Sequence, residues 1–161
     1  MRMTTMRAGY PELVEVDDDR LFEFYPGLSG FEDQNRYALM DDEGSMLQWL
    51  QAVGAPSVCF GVVDPWGFLP DYAFELPDAD ADALGVKGSN DVIVRVILTL
   101  RSPMAAITAN LMAPLVINPA TRLGRQVVLQ DSDFPARYAI FEGRDMGDLG
   151  NGGEQRHARA A

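Results

Sequence analysis

Histidine and cysteine are nearly absent from this 161-residue chain, which contains one of each. His157 lies in a polar C-terminal stretch, so the folded part has no histidine to act as a general base or to share a metal ion. Cys59 lies in an apolar run, with no second cysteine for a disulfide and no neighbouring histidine to activate its thiol. Histidine-dependent catalysis, a cysteine nucleophile and a multi-histidine metal centre are therefore excluded, and no cofactor is predicted.

Basic residues are also few. Thirteen Lys and Arg stand against twenty-four Asp and Glu, which gives a formal net charge of −11 and a pI near 4.3. A surface potential of this sign repels phosphate groups and argues against direct binding to nucleic acid. The same charge would speed association with a basic protein. Composition alone does not distinguish that role from a surface charge that only improves solubility.

Long apolar runs are missing as well. The N-terminal residues 1–7 lack the apolar stretch of a secretory signal. The longest candidate, Met104 to Ile117, is interrupted by Asn110 and Pro114 and falls short of the roughly 20 apolar residues of a membrane helix. Together with the single cysteine, these absences predict a soluble, cytoplasmic protein with no membrane segment.

Alternation between apolar and other residues is the main pattern that the sequence does contain. From Val92 to Leu100 every second residue is apolar and the opposite set is mixed, as in a strand with one face in a core. Similar patterning occurs at 21–24, 37–40, 46–52, 58–63, 107–112, 115–118 and 126–130. Only residues 77–84 favour a helix. The pattern predicts an all-β fold, mainly β with short helices, in a single antiparallel β-barrel-like domain.

The chain divides into a folded domain and two polar ends. Residues 1–9 are predicted to form a flexible N-terminal arm, and residues 10–142 the barrel-like domain. Residues 143–161 are rich in glycine and nearly without apolar side chains, which predicts a disordered C-terminal tail. One domain with closed sheet edges favours a monomer.

Carboxylates offer the remaining route to catalysis. Asp64 and Asp71 flank an aromatic loop and are the best candidates for a carboxylate-dependent hydrolase, although turn and surface roles explain them more simply. Residues 78–82 alternate Asp and Ala like the start of a calcium loop, but the Gly and Glu that an EF-hand requires are missing. A further alternative is a small-ligand-binding barrel in which the loop 66–72 closes over an internal cavity.

Four sequence blocks occur in a characteristic order. They are Tyr-Pro-Gly-Leu-Ser-Gly-Phe-Glu at 25–32, Trp-Leu-Gln at 49–51, Asp-Pro followed by Pro-Asp-Tyr within 64–72, and Asn-Leu-Met-Ala-Pro followed by Asn and Gln-Val within 110–127. Together they resemble the FliW flagellar assembly factor family, over roughly residues 12–142. Tyr25 and Ser29 depart from the Phe and Pro that the family pattern has at these two places.

The resemblance implies a β-barrel-like regulator rather than an enzyme. FliW-like proteins bind the translational regulator CsrA, relieve its repression of flagellin synthesis, and also bind flagellin, which thereby releases CsrA. We therefore expect CsrA and flagellin as partners and the loops 64–72 and 110–126 as binding surfaces. The candidate contact residues are Asp64, Trp66, Phe68, Asp71, Tyr72, Asn110, Asn118, Arg122 and Gln126. Two competing interpretations remain: the aromatic residues fill the end of the barrel, and the polar residues bind loop backbone.

Overall fold

A computed structural model describes residues 1–88 and 92–141, together with the backbone of 159–160. Its strands are β1 (Arg2–Thr5), β2 (Glu12–Glu15), β3 (Leu21–Phe24), β4 (Arg36–Asp41), β5 (Gln48–Ala52), β6 (Cys59–Val63), β7 (Glu75–Leu76), β8 (Ile93–Thr99), β9 (Thr108–Ala109), β10 (Leu115–Asn118), β11 (Leu123–Gln126), β12 (Tyr138–Ala139) and β13 (Arg159–Ala160). The helix α1 spans Asp78–Leu84, and short 3-10 helices span Asp18–Arg20, Pro65–Gly67 and Met104–Ala106. In this part of the chain, no helix is long and apolar enough to cross a membrane.

Seven strands close into a barrel in the order β10–β11–β3–β4–β5–β6–β8, and β8 pairs in turn with β10. Every pair in this ring is antiparallel except β11 with β3. A parallel pair needs a long connection, and these two strands lie far apart in the chain. The closed ring confirms the predicted all-β, barrel-like fold, with this one parallel pair as a departure from it.

The barrel interior is filled with side chains. They come mainly from β3, β4, β5, β6 and β10: Phe22, Phe24, Leu28, Tyr37, Leu39, Leu50, Ala52, Val62, Leu115 and Ile117. Ile93 and Ile97 of β8 pack against this cluster. Because packed interiors leave little space larger than a water molecule, this filling counts against a small-ligand-binding barrel.

A second apolar layer covers the outside of β8 and β10. Val94, Val96 and Leu98 of β8 face this layer, so β8 is covered on both faces. The sequence pattern of β8 predicted only one core-facing side. The covering residues come from the segment 65–84, which includes β7 and α1, from β9 and from the segment 127–141. This outer layer contains several of the predicted contact residues.

The N-terminal residues differ from the predicted flexible arm. β1 and β2 form an antiparallel hairpin in which Met3 lies beside Val14. Met3 is buried against the outer face of β4, and the Thr5 hydroxyl donates a hydrogen bond to Gln51 Oε1 at 2.6 Å. The methionine and the threonine therefore anchor residues that composition alone assigned to a loose end. Of the tail predicted for residues 143–161, all but the backbone of β13 lies outside the described residues.

Tyr37 has a buried phenol group inside the barrel. Among the described residues its hydroxyl has no hydrogen-bond partner, and burial raises the pKa of this phenol to about 12. We expect Tyr37→Phe to raise the free energy of unfolding by about 1 kcal/mol, because it removes an unsatisfied polar group and keeps the ring contacts. Urea denaturation measures this change. A loss of stability instead would show that the hydroxyl has a partner in the folded protein.

Candidate functional site

The loop between β6 and β7 is held by its own residues. The Asp64 carboxylate accepts a hydrogen bond from the backbone N–H of Trp66 at 2.9 Å, and Pro65 begins the short helix that follows. The fixed φ of proline and the capping carboxylate both favour a helical turn here. The indole N–H of Trp66 donates to the Tyr72 carbonyl at 2.6 Å, which joins the two ends of the loop.

The three aromatic candidates in this loop are buried. Trp66, Phe68 and Tyr72 all belong to the outer apolar layer, and the ring of Phe68 stacks on Tyr138 with centroids 5.9 Å apart. The Tyr72 hydroxyl donates to the Leu111 carbonyl at 2.7 Å, and burial raises the pKa of this phenol. This arrangement fits the packing interpretation. Direct contact between these rings and a partner stays a prediction that requires the loop to open.

The two carboxylates considered for hydrolysis have different surroundings. Asp71 is exposed, whereas Asp64 caps the turn and its charge acts on the partly buried Arg95. Neither carboxylate lines the groove that is described below. A capping carboxylate and an exposed one, as found here, fit the structural and surface roles better than an acid–base pair.

A polar layer lies at one end of the barrel interior. Arg95 Nε donates to Gln48 Oε1 at 2.6 Å, and Gln48 Nε2 donates to Asp41 Oδ1 at 2.7 Å. The hydrogen bond from Gln48 lowers the pKa of Asp41, and the charge of Arg20 contributes in the same direction. Burial lowers the pKa of Arg95, and the negative charges of Asp64 and Asp41 oppose that effect. These groups therefore pair with one another within the layer.

The four polar candidates all bind backbone atoms. Asn110 Oδ1 accepts from the N–H groups of Met112 and Ala113, and Asn118 Nδ2 donates to the Leu84 carbonyl at the end of α1. Arg122 has a positive φ of 62° and donates to the Asp18 carbonyl. Gln126 Oε1 accepts from the Ser29 N–H at 3.0 Å. The hydrogen bonds favour a loop-fixing role, and partner contact at these positions stays a prediction.

A groove with a volume of about 590 Å³ lies just beyond both predicted loops. One wall is formed by β7 with the start of α1, and the other by residues 128–134. Its apolar lining includes Phe74, Val128, Leu129 and Phe134, and its acidic lining is Glu75, Asp80 and Asp131. Asp80 forms an ion pair with Arg125 at 3.4 Å, and no lysine or arginine is itself among the described lining residues of the groove. We call this feature the acidic groove.

The buried ring of Tyr72 packs against two aromatic residues that line the acidic groove. Its ring lies edge-on to Phe134 with centroids 4.7 Å apart, and it contacts Phe74 with centroids 5.6 Å apart. Its hydroxyl donates a hydrogen bond to the Leu111 carbonyl, and the Leu111 N–H donates to the Pro135 carbonyl at 3.0 Å. The loop 64–72 and the segment 110–126, which contains β10 and β11, therefore fix the position of the groove walls, although neither of them lines the groove.

Sequence reasoning missed the groove residues themselves. Val128 is 52% exposed although it belongs to an apolar alternating segment, and Phe134 follows the run Asp131-Ser132-Asp133. A lone apolar residue among carboxylates was the signal that could have drawn attention to 128–134. Across the described ranges, no three His, Cys, Asp or Glu side chains come together in a group suited to a metal ion. The arrangement suits binding of a basic, partly apolar segment.

Comparisons with known proteins agree with this architecture. The family model "FliW protein" matches residues 5–140. The flagellar assembly factor FliW of Syntrophus aciditrophicus is 36% identical over 147 residues, 91% of each chain, and that of Natranaerobius thermophilus is 34% identical over 94% of this chain and 99% of its own. A crystal structure of the flagellar assembly factor FliW aligns with a TM-score of 0.80 at 31% identity, covering 88% of this chain and 97% of that one. The chain therefore belongs to the FliW family of flagellar assembly factors.

Proposed function

We propose that this protein is a cytoplasmic, monomeric regulator that binds CsrA, relieves its repression of flagellin synthesis, and releases CsrA when flagellin binds. Family membership supports the regulatory role, and the acidic groove is the observation that supports a protein-binding mechanism. Catalysis has no part in this proposal, because binding alone would account for the release of repression.

The charge of the protein suits CsrA as a partner. CsrA must present cationic groups in order to bind RNA, and this chain carries a formal charge of −11. Opposite charges steer the two proteins together, and the acidic body repels an approaching RNA backbone once the complex has formed. Glu75 and Asp131 are exposed at the acidic groove and would act on such a basic surface.

The apolar floor of the acidic groove suits a segment with an apolar face. Phe74 and Phe134 rest on the buried ring of Tyr72, which holds them in place before binding. Terminal segments of flagellin form amphipathic helices in the filament, and such helices dock through apolar residues into grooves with polar rims. Binding of both partners at or near one groove would account for their competition.

A titration in two stages tests the proposed function. Calorimetry should show CsrA binding to the full chain, and flagellin added to the complex should release CsrA. The release is followed by the loss of the complex peak in size-exclusion chromatography. If neither protein binds, the proposed function is wrong. Stable binding of both at once would exclude a partner switch.

Removal of two groove carboxylates should slow the association with CsrA. We expect the double variant Glu75→Gln/Asp131→Asn to lower the association rate by about threefold at low salt, and by less at physiological salt, because salt screens exposed charges. Stopped-flow mixing measures the rate. The matched control Asp19→Asn/Glu43→Gln removes the same charge from exposed positions outside the groove lining. Equal slowing in both variants would show that only net charge matters.

An acidic residue in the apolar part of the acidic groove should weaken binding. We expect Val128→Asp to lower the affinity for CsrA or flagellin by about tenfold, because an interface centre tolerates an unpaired charge poorly. Calorimetry measures the affinity. The control Leu13→Asp changes an apolar residue of similar exposure, 63%, on β2. An unchanged affinity in Val128→Asp would place the binding surface elsewhere.

A further inference from the structure

We propose that the edge of β7 is a strand-addition site, and that the C-terminal residues of this same chain occupy it in competition with the partner. The inference rests on the proposed function of the acidic groove and names a regulation of that site. In the structure, the backbone of β13 runs parallel to β7, with Arg159 beside Glu75 and Ala160 beside Leu76.

The edge of β7 is open to such pairing. Within the described part of the chain, β7 pairs with β13 and with no other strand. An unpaired strand edge offers N–H and C=O groups that an extended segment of almost any sequence can bind. Glu75 is both a member of this edge and part of the lining of the acidic groove. A segment added to β7 therefore lies along the groove wall.

The pairing is short, so it can be displaced. Pro77 follows directly after β7 and has no N–H to extend the ladder. The ladder is confined to two residues on each strand. A few backbone hydrogen bonds, each of small net value, hold the tail close to an even balance between bound and free states.

Charge complementarity favours the C-terminal end as the occupant. The last six residues contain Arg156 and Arg159 and no acidic side chain, whereas the folded body is strongly acidic. Glu75 and Asp131 give the acidic groove the opposite sign. These last six residues therefore share the positive charge of the basic partner that the groove is proposed to bind. Occupation by the tail lowers the apparent affinity for the partner in proportion to the fraction of molecules in which the site is still free.

The test compares three full-length chains. Arg159→Pro/Ala160→Pro removes both N–H groups of β13 and one positive charge. The control Arg156→Pro/His157→Pro introduces the same number of prolines and removes one arginine outside the paired residues. Hydrogen exchange at Glu75 and Leu76 is measured without any partner. We expect exchange at one or both of these amides to be several-fold faster in the first variant than in the native chain and the control.

Affinity for CsrA is then measured by calorimetry on the same three chains. We expect about twofold tighter binding in Arg159→Pro/Ala160→Pro than in the other two, because a tail that fills the site in half of the molecules raises the apparent Kd of the partner by about that factor. Unchanged exchange at β7 overturns the tail contact. Faster exchange with unchanged affinity overturns the competition.

Two further outcomes separate this inference from related ones. Faster exchange in the first variant, with no CsrA or flagellin binding to any of the three chains, would leave the tail contact standing and defeat the proposed function. Protection at β7 that disappears when the native protein is diluted tenfold would assign the contact to the tail of a second copy, and would overturn occupation within one chain.

Discussion

Truncation of Tyr72 to alanine is expected to lower the free energy of unfolding by about 3–5 kcal/mol. The ring is fully buried, and it contacts Phe74 and Phe134 at the acidic groove. Its removal leaves a cavity beneath both groove walls and deprives the Leu111 carbonyl of its donor. Urea denaturation measures the loss of stability, and CsrA titration of the fraction that stays folded measures the loss of affinity.

Tyr72→Phe separates the two contributions of this residue. It keeps the ring and removes only the 2.7 Å hydrogen bond to Leu111, so we expect a loss of about 1–2 kcal/mol with nearly unchanged affinity. Comparable destabilisation by both substitutions would contradict the role of the ring as a support. Equal affinity of Tyr72→Ala and the native chain would show that the acidic groove does not need this support.

Substitution of Gly124 by alanine is expected to destabilise the barrel strongly. A Cβ at this position would lie 2.6 Å from the Phe24 ring, at the parallel pair of β11 and β3. Phe24 is fully buried and packs edge-on against Tyr37, so it has little room to move. Overpacking of this kind costs about 1–3 kcal/mol or more. Thermal unfolding should show the midpoint falling by about 2–12 °C.

Gly61→Ala is the matched control for this prediction. Its added Cβ would meet the terminal carbons of Leu100 and Leu47 at 3.2 and 3.3 Å, and these are flexible ends of side chains. We expect a loss of less than about 1 kcal/mol. The double variant Gly124→Ala/Phe24→Leu should recover part of the loss if the ring is the cause. No recovery, or equal effects of the two alanines, would place the strain elsewhere.

Local sequence patterns were sufficient for most strands of the barrel, but the strand predicted at 126–130 lies instead at Leu123–Gln126, as β11. Alternation in residues 92–100 and in 58–63 predicted β8 and β6, and a proline followed by aspartates predicted a helix at 77–84, where α1 spans Asp78–Leu84. Such patterns depend on which side of a strand faces a core, and the chain records that locally. The hairpin of β1 and β2 was missed, because Met3 is held by a neighbour distant in sequence and its own segment has no strong alternation.

The candidate site depended on contacts that no local pattern contains. The sequence identified the segments 64–72 and 110–126, which directly precede the residues that line the acidic groove. Three of its candidate contacts, Trp66, Phe68 and Tyr72, are buried in the structure. Trp66 and Phe68 fill the outer layer, and Asn118 holds the end of α1. An aromatic residue in a loop is exposed or buried according to what packs over it, and the segment 127–141 that covers this loop is distant in sequence.

The sequence by itself determined the acidic charge, the β-rich fold and membership of the FliW family, because each of these depends on composition or on residues in a fixed order. Only the tertiary structure decided which carboxylates and which apolar residues meet at one groove. Glu75 and Asp131 lie 56 positions apart in the chain and become neighbours only when the barrel closes and the outer layer folds over it. Burial and proximity are properties of the packed chain, and they bring acidic and apolar residues from distant segments together at one groove.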